Sequence, residues 1–154
     1  ALQGKNGSGK SSILKLLHRE SLEYCGRLVV GSGVKISYVA QSADDLRGSP
    51  REYARASGID ESLFRMVLDK LDFSKLQFEK DMADYSGGQK KKVLLARSLC
   101  EQAHLYIWDE PLNYIDVISR IQITELLLEH KPTMLFVEHD RAFCDEVATK
   151  VVRL

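Results

Sequence analysis

The chain has 154 residues, enough for one domain with a sizeable core, and its 44% hydrophobic and 29% charged residues suit an ordinary globular protein. Basic and acidic side chains balance at 22 each, so no overall positive field attracts nucleic acid. No apolar run is long enough to cross a bilayer, and no signal peptide is visible. The three cysteines, Cys25, Cys100 and Cys144, are widely spaced. Together these features favour a cytoplasmic protein with reduced thiols.

A phosphate-binding loop is predicted close to the start of the chain. Residues 4–11 (GKNGSGKS) fit the pattern G-x-x-x-x-G-K-[ST], and an apolar helix is predicted from Ser11 to about His18. Glycines allow the backbone N–H groups to point inward at a chain of phosphates, and the following helix adds the positive end of its dipole. Lys10 is expected to reach the β- and γ-phosphates, and the Ser11 hydroxyl is expected to bind Mg²⁺.

Two short strands and a helical region are predicted next. Residues 27–30 and 35–39 are predicted strands, joined in a hairpin by Gly31-Ser32-Gly33. After a polar loop, the pattern from Pro50 to about Lys80 is helical. Its apolar stripe is expected to face the core: Leu63, Met66, Val67, Leu68 and Leu71.

The remainder alternates helices and strands. Predicted helices cover about 89–100, 117–130 and 141–147, and predicted strands cover 105–108, 133–137 and 150–154. On the helix at 117–130, the apolar residues fall mostly on one side: Ile118, Ile121, Leu126 and Leu128. This alternation predicts an α/β fold with a mainly parallel sheet flanked by helices.

Several polar residues are candidates for a site, and each also has a purely structural interpretation. Phosphoryl transfer needs a carboxylate for Mg²⁺ and a group that positions the attacking water, roles that Asp109 and Glu110 fit after their apolar strand. The alternative for this pair is a charged turn. Gln41 is either a Mg²⁺ ligand or an exposed turn residue, and His139 is either a donor to a γ-phosphate or a structural histidine.

A second helix start offers another candidate. Tyr85-Ser86-Gly87-Gly88-Gln89 opens the helix at about 89–100, where two glycines allow close approach and the helix N-terminus favours an anion. Ser86 is also a good N-cap residue, so a simple helix cap is the alternative. Lys90-Lys91-Lys92 is predicted to be a solvated helix face.

Taken in order, these motifs resemble the nucleotide-binding domain of ABC ATPases over nearly the whole chain. The resemblance implies a P-loop NTPase fold of ABC type that binds ATP and Mg²⁺ and hydrolyses ATP to ADP and phosphate. It also implies a small helical subdomain at about 42–100, which includes the signature motif, beside a RecA-like core.

The resemblance assigns a role to each matching residue. It implies a Walker A loop with Gly4, Asn6, Gly7, Gly9, Lys10, Ser11 and Ser12 as nucleotide-binding residues. Ser11, Gln41 and Asp109 are the implied Mg²⁺ ligands, and Glu110, His139 and Gln41 are the implied catalytic residues. In that family the signature motif and the D-loop close over ATP held by a partner domain, in a head-to-tail pair. The corresponding residues here are Ser86, Gly87, Gly88, Gln89 and Asp116.

Finer features are similar to one subgroup, the ABC-F proteins. Residues 109–116 (DEPLNYID) and 138–143 (EHDRAF) carry this similarity, and residues 99–108 (LCEQAHLYIW) are similar to its antibiotic-resistance branch. The resemblance implies a second ABC ATPase domain as partner, on the same full-length chain or as another copy of this one. It also implies action on the ribosome and resistance by target protection. The alternative is the ATPase subunit of a membrane ABC transporter, and a third possibility is a scaffold that does not hydrolyse ATP.

Some positions depart from the ABC pattern. Tyr85 and Ile115 each replace a common Leu, and Glu138 replaces a Ser. Glu138 is expected to bring negative charge near the phosphates, and so to weaken ATP binding or raise the pKa of His139. Because the phosphate loop starts at residue 4, the upstream strands and the aromatic adenine platform of the family have no counterpart. We therefore expect residues 1–154 to be a truncated ATPase domain, the second of its protein, with weak or no activity alone.

Overall fold

A three-stranded parallel sheet lies at the centre of the molecule. The computed structural model describes all 154 residues and places β2 (Ile36–Val39), β3 (Leu105–Asp109) and β4 (Met134–Val137) side by side in that order. Because the three strands are parallel, their carboxyl ends meet at one edge of the sheet, where ligands bind in open α/β folds. A separate parallel pair joins β1 (Leu2–Gln3) to β5 (Val152–Arg153).

Seven α-helices surround the strands. They are α1 (Lys10–Leu17), α2 (Pro50–Ala56), α3 (Glu61–Lys70), α4 (Lys75–Phe78), α5 (Gly87–Cys100), α6 (Val117–His130) and α7 (Arg141–Val147), with a short 3₁₀ turn at Met82–Asp84. Most begin at a residue whose side chain accepts from the backbone N–H three positions on: Ser49, Asp60, Ser74, Ser86, Asp116 and Asp140. None of the helices combines the length and apolar character needed to span a bilayer.

The sheet buries both of its faces. Alternate residues of a strand point to opposite faces, so Trp108 of β3 joins a cluster of 22 buried residues, which also takes in α2, α3, α5, α6 and α7. Its neighbour Ile107 lies on the other face, in a smaller cluster with Leu14 of α1 and Leu2. The sheet is thus covered on both faces, and its strand ends lie beside the start of α1.

The predicted hairpin at residues 27–39 is wrong. Residues 27–30 form no strand, and Leu28 and Val29 are exposed. β2 pairs in parallel with β3 instead, with Val39 opposite Trp108. This long-range pairing buries Val39 completely, which a local hairpin at the surface could not do.

Two predicted helix faces also differ from the structure. On α3 the buried face carries Phe64, Val67 and Leu68, while Leu63 and Met66 are exposed. Phe64 is the largest apolar side chain of α3 and faces the core. Val67 and Leu68, three and four residues further on, lie on the same side of the helix and are buried with it.

On α6 the inner face is partly polar. Ile123 and Leu127 are buried together with Ser119, whereas Ile118 and Ile121 are exposed. The Ser119 hydroxyl donates to the Leu71 carbonyl oxygen at 3.0 Å, which satisfies this buried polar group.

Candidate nucleotide-binding site

The phosphate loop curls around the side chain of Lys10. Gly7 and Gly9 have φ angles of 80° and 90°, a region that favours glycine. The buried Lys10 Nζ donates to the carbonyl oxygens of Gly4 at 3.0 Å and Lys5 at 3.1 Å. Gly9, the N-cap of α1, provides no side-chain acceptor, so the first N–H groups of the helix are left for an anion.

A polar cavity of about 530 Å³ opens over this loop. It brings together residues from the loop, the start of α1 and three strand ends, and no hydrophobic side chain lines it. The lining residues are Asn6, Gly7, Gly9, Lys10, Ser11, Ser12, Gln41, Glu110 and His139. A cavity of this size and polarity fits the phosphate part of a nucleotide better than its base.

Asp109 ends β3 next to the cavity and offers an oxygen ligand for a cation. Its side chain is only 1% exposed, and its buried Oδ1 has no hydrogen-bond partner. Burial raises the pKa of Asp109, while a hydrogen bond from the Ser11 hydroxyl acts in the opposite direction. A carboxylate beside a hydroxyl is the kind of oxygen pair that Mg²⁺ binds together with substrate phosphates, so these residues fit the predicted ion.

Three side chains converge on the carboxylate of Glu110. Gln41 Nε2 donates to its Oε2 at 2.8 Å, Asn113 Nδ2 donates to the same oxygen at 2.6 Å, and His139 Nε2 lies 3.3 Å from Oε1. Glu110 itself has a φ of 47°, in a left-handed region that few non-glycine residues adopt. The carboxylate is therefore held in one orientation at the mouth of the cavity.

Asn113 was not among the predicted site residues. It lies three residues after Glu110 in a turn, where its backbone N–H also donates to the Glu110 carbonyl oxygen at 3.4 Å. The turn-forming Pro-Leu-Asn that follows the acid pair was the available sequence signal. The side-chain nitrogen of Gln41 donates to Glu110. The side-chain oxygen of Gln41 is therefore the atom that remains for the predicted Mg²⁺ binding.

The Ser86–Gln89 motif lies outside the cavity. Ser86 caps α5 in a reciprocal arrangement: its hydroxyl accepts from the Gln89 N–H at 3.3 Å, and the Gln89 side chain accepts from the Ser86 N–H at 3.0 Å. The helix-cap interpretation is thus confirmed. The role of Ser86, Gly87, Gly88 and Gln89 toward a partner's nucleotide stays a prediction.

Asp116 also lies away from the cavity, where it begins α6. Its carboxylate accepts from the Ser119 N–H at 2.9 Å and forms a 2.7 Å ion pair with Lys92. Although desolvation opposes ionisation, Lys92 and the two Ser119 donors lower the pKa of Asp116 to about 2.

The lysine run on α5 is not a solvated face, contrary to the prediction. Lys91 and Lys92 are buried, and only Lys90 is partly exposed. Lys91 Nζ donates to the backbone carbonyls of Ala40, Gln41 and Asp109, and burial lowers its pKa to about 8. The run falls at the junction of α5 with two strand ends, where backbone acceptors and Asp116 replace water.

Glu138 does not line the cavity. Its buried carboxylate accepts from the N–H groups of Leu112 at 3.0 Å, His139 at 2.7 Å and Asp140 at 3.3 Å. This differs from the expected placement near the phosphates, since backbone donors of two loops fix the side chain instead.

A glycine-rich loop at the start of a helix, beside carboxylates at the ends of parallel strands, defines a P-loop nucleotide-binding domain. Residues 1–113 match the family described as ABC transporter, and the chain belongs to that family, whose ATP-binding domains hydrolyse ATP.

Relatives of known name support this assignment. YdiF of Bacillus subtilis (strain 168) is 34% identical, in a match that covers 100% of this chain and 25% of YdiF. The ATP-binding protein Uup of Caulobacter vibrioides is 33% identical, over 97% of this chain and 24% of Uup. The chain therefore spans about a quarter of the length of these relatives.

Solved structures share the fold. The ATP binding subunit of an ABC transporter superposes with a TM-score of 0.83 at 21% identity, covering 99% of this chain and 72% of that one. An archaeal ribosome recycling factor, solved with a ribosomal stalk protein, superposes with a TM-score of 0.79 at 24% identity. The match covers 99% of this chain and 31% of the chain of the recycling factor. The predicted P-loop fold of ABC type is confirmed.

Proposed function

We propose that this chain is the ATP-hydrolysing domain of an ABC-F protein that acts on the ribosome in the cytoplasm and gives antibiotic resistance by target protection. The observation that carries the hydrolytic part is the convergence of Gln41, Asn113 and His139 on the carboxylate of Glu110 beside the phosphate loop. The ribosomal part rests on the similarity of residues 109–116 and 138–143 to ABC-F proteins.

In this proposal, each of the residues at the cavity has a separate role in phosphoryl transfer. Lys10 and the loop N–H groups bind the phosphates, and Ser11, Asp109 and Gln41 provide the oxygens that would hold Mg²⁺, whose charge offsets that of the β- and γ-phosphates. The Glu110 carboxylate accepts a proton from the attacking water, because its two oxygens already face the cavity mouth. His139, exposed beside it, donates to the γ-phosphate.

A second ABC domain completes the site in this proposal. Ser86, Gly87, Gly88 and Gln89 lie at the N-terminus of α5, outside the cavity proposed to hold this domain's own phosphates. The exposed hydroxyl of Ser86 and the helix N-terminus suit an anion presented by another domain. Asp116 lies at the start of α6, tied to α5 through Lys92, so both elements present one surface to the partner.

An ATPase assay on the intact protein tests the role of Glu110. Glu110→Gln keeps the shape of the side chain and removes the base, so ATP binding persists while turnover falls about 100-fold or more. Glu129→Gln is the matched control, because Glu129 is exposed on α6, forms an ion pair at 3.9 Å with His130 and does not line the cavity. Unchanged turnover in Glu110→Gln refutes the assigned role.

Ribosome co-sedimentation tests the ribosomal part. With ATP, Glu110→Gln should remain closed and pellet with ribosomes, and expression of the intact protein should raise the inhibitory concentration of a lincosamide or streptogramin. The second candidate is the ATPase subunit of a membrane transporter, which the description of the matching family as ABC transporter supports. Co-purification with a membrane protein, and none with ribosomes, decides for this alternative.

A further inference from the structure

Lys91 is a buried cation with an unusual set of partners. Its side chain is 1% exposed, and its Nζ donates to the carbonyl oxygens of Ala40 at 2.8 Å, Gln41 at 3.1 Å and Asp109 at 3.2 Å. An ammonium group has three N–H donors, so these contacts use all of them. The acceptors are backbone carbonyls rather than a carboxylate, in contrast to Lys92, which pairs with Asp116.

Burial of an ammonium group is unfavourable, and an apolar side chain of similar volume is often at least as stabilising in such a position. Packing alone therefore does not account for a lysine here. What the ammonium does, and methionine does not, is bind three carbonyl oxygens at once. Two of them follow β2 and one ends β3, so a single group links two neighbouring strand ends.

The linked backbone carries the reactive side chains. Gln41, whose carbonyl Lys91 binds, donates through its side chain to Glu110, the residue directly after Asp109. Lys91 also belongs to α5, whose first turn is the Ser86–Gln89 motif. It lies five residues after Ser86, about 7.5 Å along the helix axis. The ammonium thus joins the start of α5 to both strand ends of the cavity.

We propose that Lys91 is a positioning residue for ATP hydrolysis, which holds the Gln41 turn and the end of β3 at a fixed separation and ties both to the helix that begins at Ser86. The inference rests on the proposed roles of Gln41 and Glu110. A shift of the start of α5, where a partner's nucleotide is proposed to bind, is transmitted through Lys91 to the residues around Glu110.

The test compares Lys91→Met with Lys90→Met in the intact protein. Both changes replace a lysine of α5 by a side chain of similar length, but Lys90 is partly exposed and its ammonium donates to the Asp44 carbonyl oxygen at 3.4 Å. Lys91→Met should lower kcat about 10- to 100-fold, because a small displacement of a catalytic group has an effect of this order. The KM for ATP should stay within about twofold, since Lys91 does not touch the phosphate loop. Lys90→Met should change neither.

A double-mutant cycle with Gln41→Ala separates positioning from general damage. Because Lys91 acts in part through Gln41, Lys91→Met should lower kcat by a smaller factor in the Gln41→Ala background than in the unsubstituted protein. Equal losses in both backgrounds, or a kcat for Lys91→Met matching that of Lys90→Met, overturn the inference. Should melting curves show Lys91→Met unfolded, Lys91→Gln takes its place with the same expected split between kcat and KM. If Gln41→Ala and Glu110→Gln themselves leave kcat unchanged, it is the proposed function that fails.

Discussion

Gly88 packs against the loop between β3 and α6 so closely that an alanine does not fit. A Cβ added at Gly88 would come within 3.0 Å of the carbonyl oxygen of Tyr114. At Gly87 the same addition would only meet the Tyr114 ring, 3.8 Å away, which is an ordinary contact. The two adjacent glycines, both in the first turn of α5, therefore make a matched pair for substitution by alanine.

Two opposing effects set the expected size of the change. Alanine improves helix propensity over glycine by up to about 1 kcal/mol, at either position. Overlap with a packed neighbour costs about 1–3 kcal/mol. Tyr114 cannot simply withdraw, because its own φ is 64°, and both Leu112, two residues before it, and Ile115, the next residue, are buried. Gly88→Ala should therefore be less stable than Gly87→Ala by about 1–3 kcal/mol.

Urea unfolding of the two variants measures this difference. Gly87→Ala should match or exceed the unsubstituted chain in free energy of unfolding, and Gly88→Ala should fall below it with the same dependence on urea. Equal stability of the two variants, within about 0.5 kcal/mol, would refute the claimed contact between α5 and the Tyr114 loop.

Three further outcomes are expected. Lys10→Ala in the intact protein should lower ATP turnover about 100-fold, because no other lysine or arginine lines the cavity. Phosphate release measures this turnover. Asp116 should add stability at neutral pH that is lost as the pH falls from about 3.8 toward about 2, since its pKa is lowered in the folded state by Lys92 and Ser119. The melting-temperature difference between the unsubstituted chain and Asp116→Asn should accordingly shrink over that range, and a constant difference would contradict the assignment. Phe64→Ala should reduce the free energy of unfolding by about 3–5 kcal/mol in urea titrations, because Phe64 is fully buried.

Elements that carry a local signal in the sequence, such as a helix cap or loop glycines, could be predicted from the sequence alone. The helix at 117–130 matches α6 at both ends, and its start is fixed locally, because the Asp116 side chain caps the helix by accepting from the N–H of Ser119. The phosphate loop likewise carries its conformation in its glycines. By contrast, β1 went unpredicted, since Leu2 and Gln3 become a strand only by pairing with β5 at the far end of the chain.

Side-chain environment was harder to predict than secondary structure. Lys90-Lys91-Lys92 looks like a solvated run in any one-dimensional pattern, and only the approach of β2 and β3 to α5 supplies acceptors for Lys91. The residues that line the cavity, in contrast, could be predicted from the sequence. Gln41, Glu110 and His139 were each expected from their position after a strand, and parallel strand order alone was enough to bring them together.

The main hydrophobic cluster has a consequence for how the molecule unfolds. Its 22 residues run without a break from Phe64 and Phe78 in the helical region to Trp108 in the sheet and Phe143 in α7. Since the region at about 42–100 has no separate core, it should melt together with the sheet in one cooperative transition. A destabilising change in α3 would then also loosen the strand ends around Glu110, although the helix of that region that hydrogen-bonds to them is α5, through Lys91.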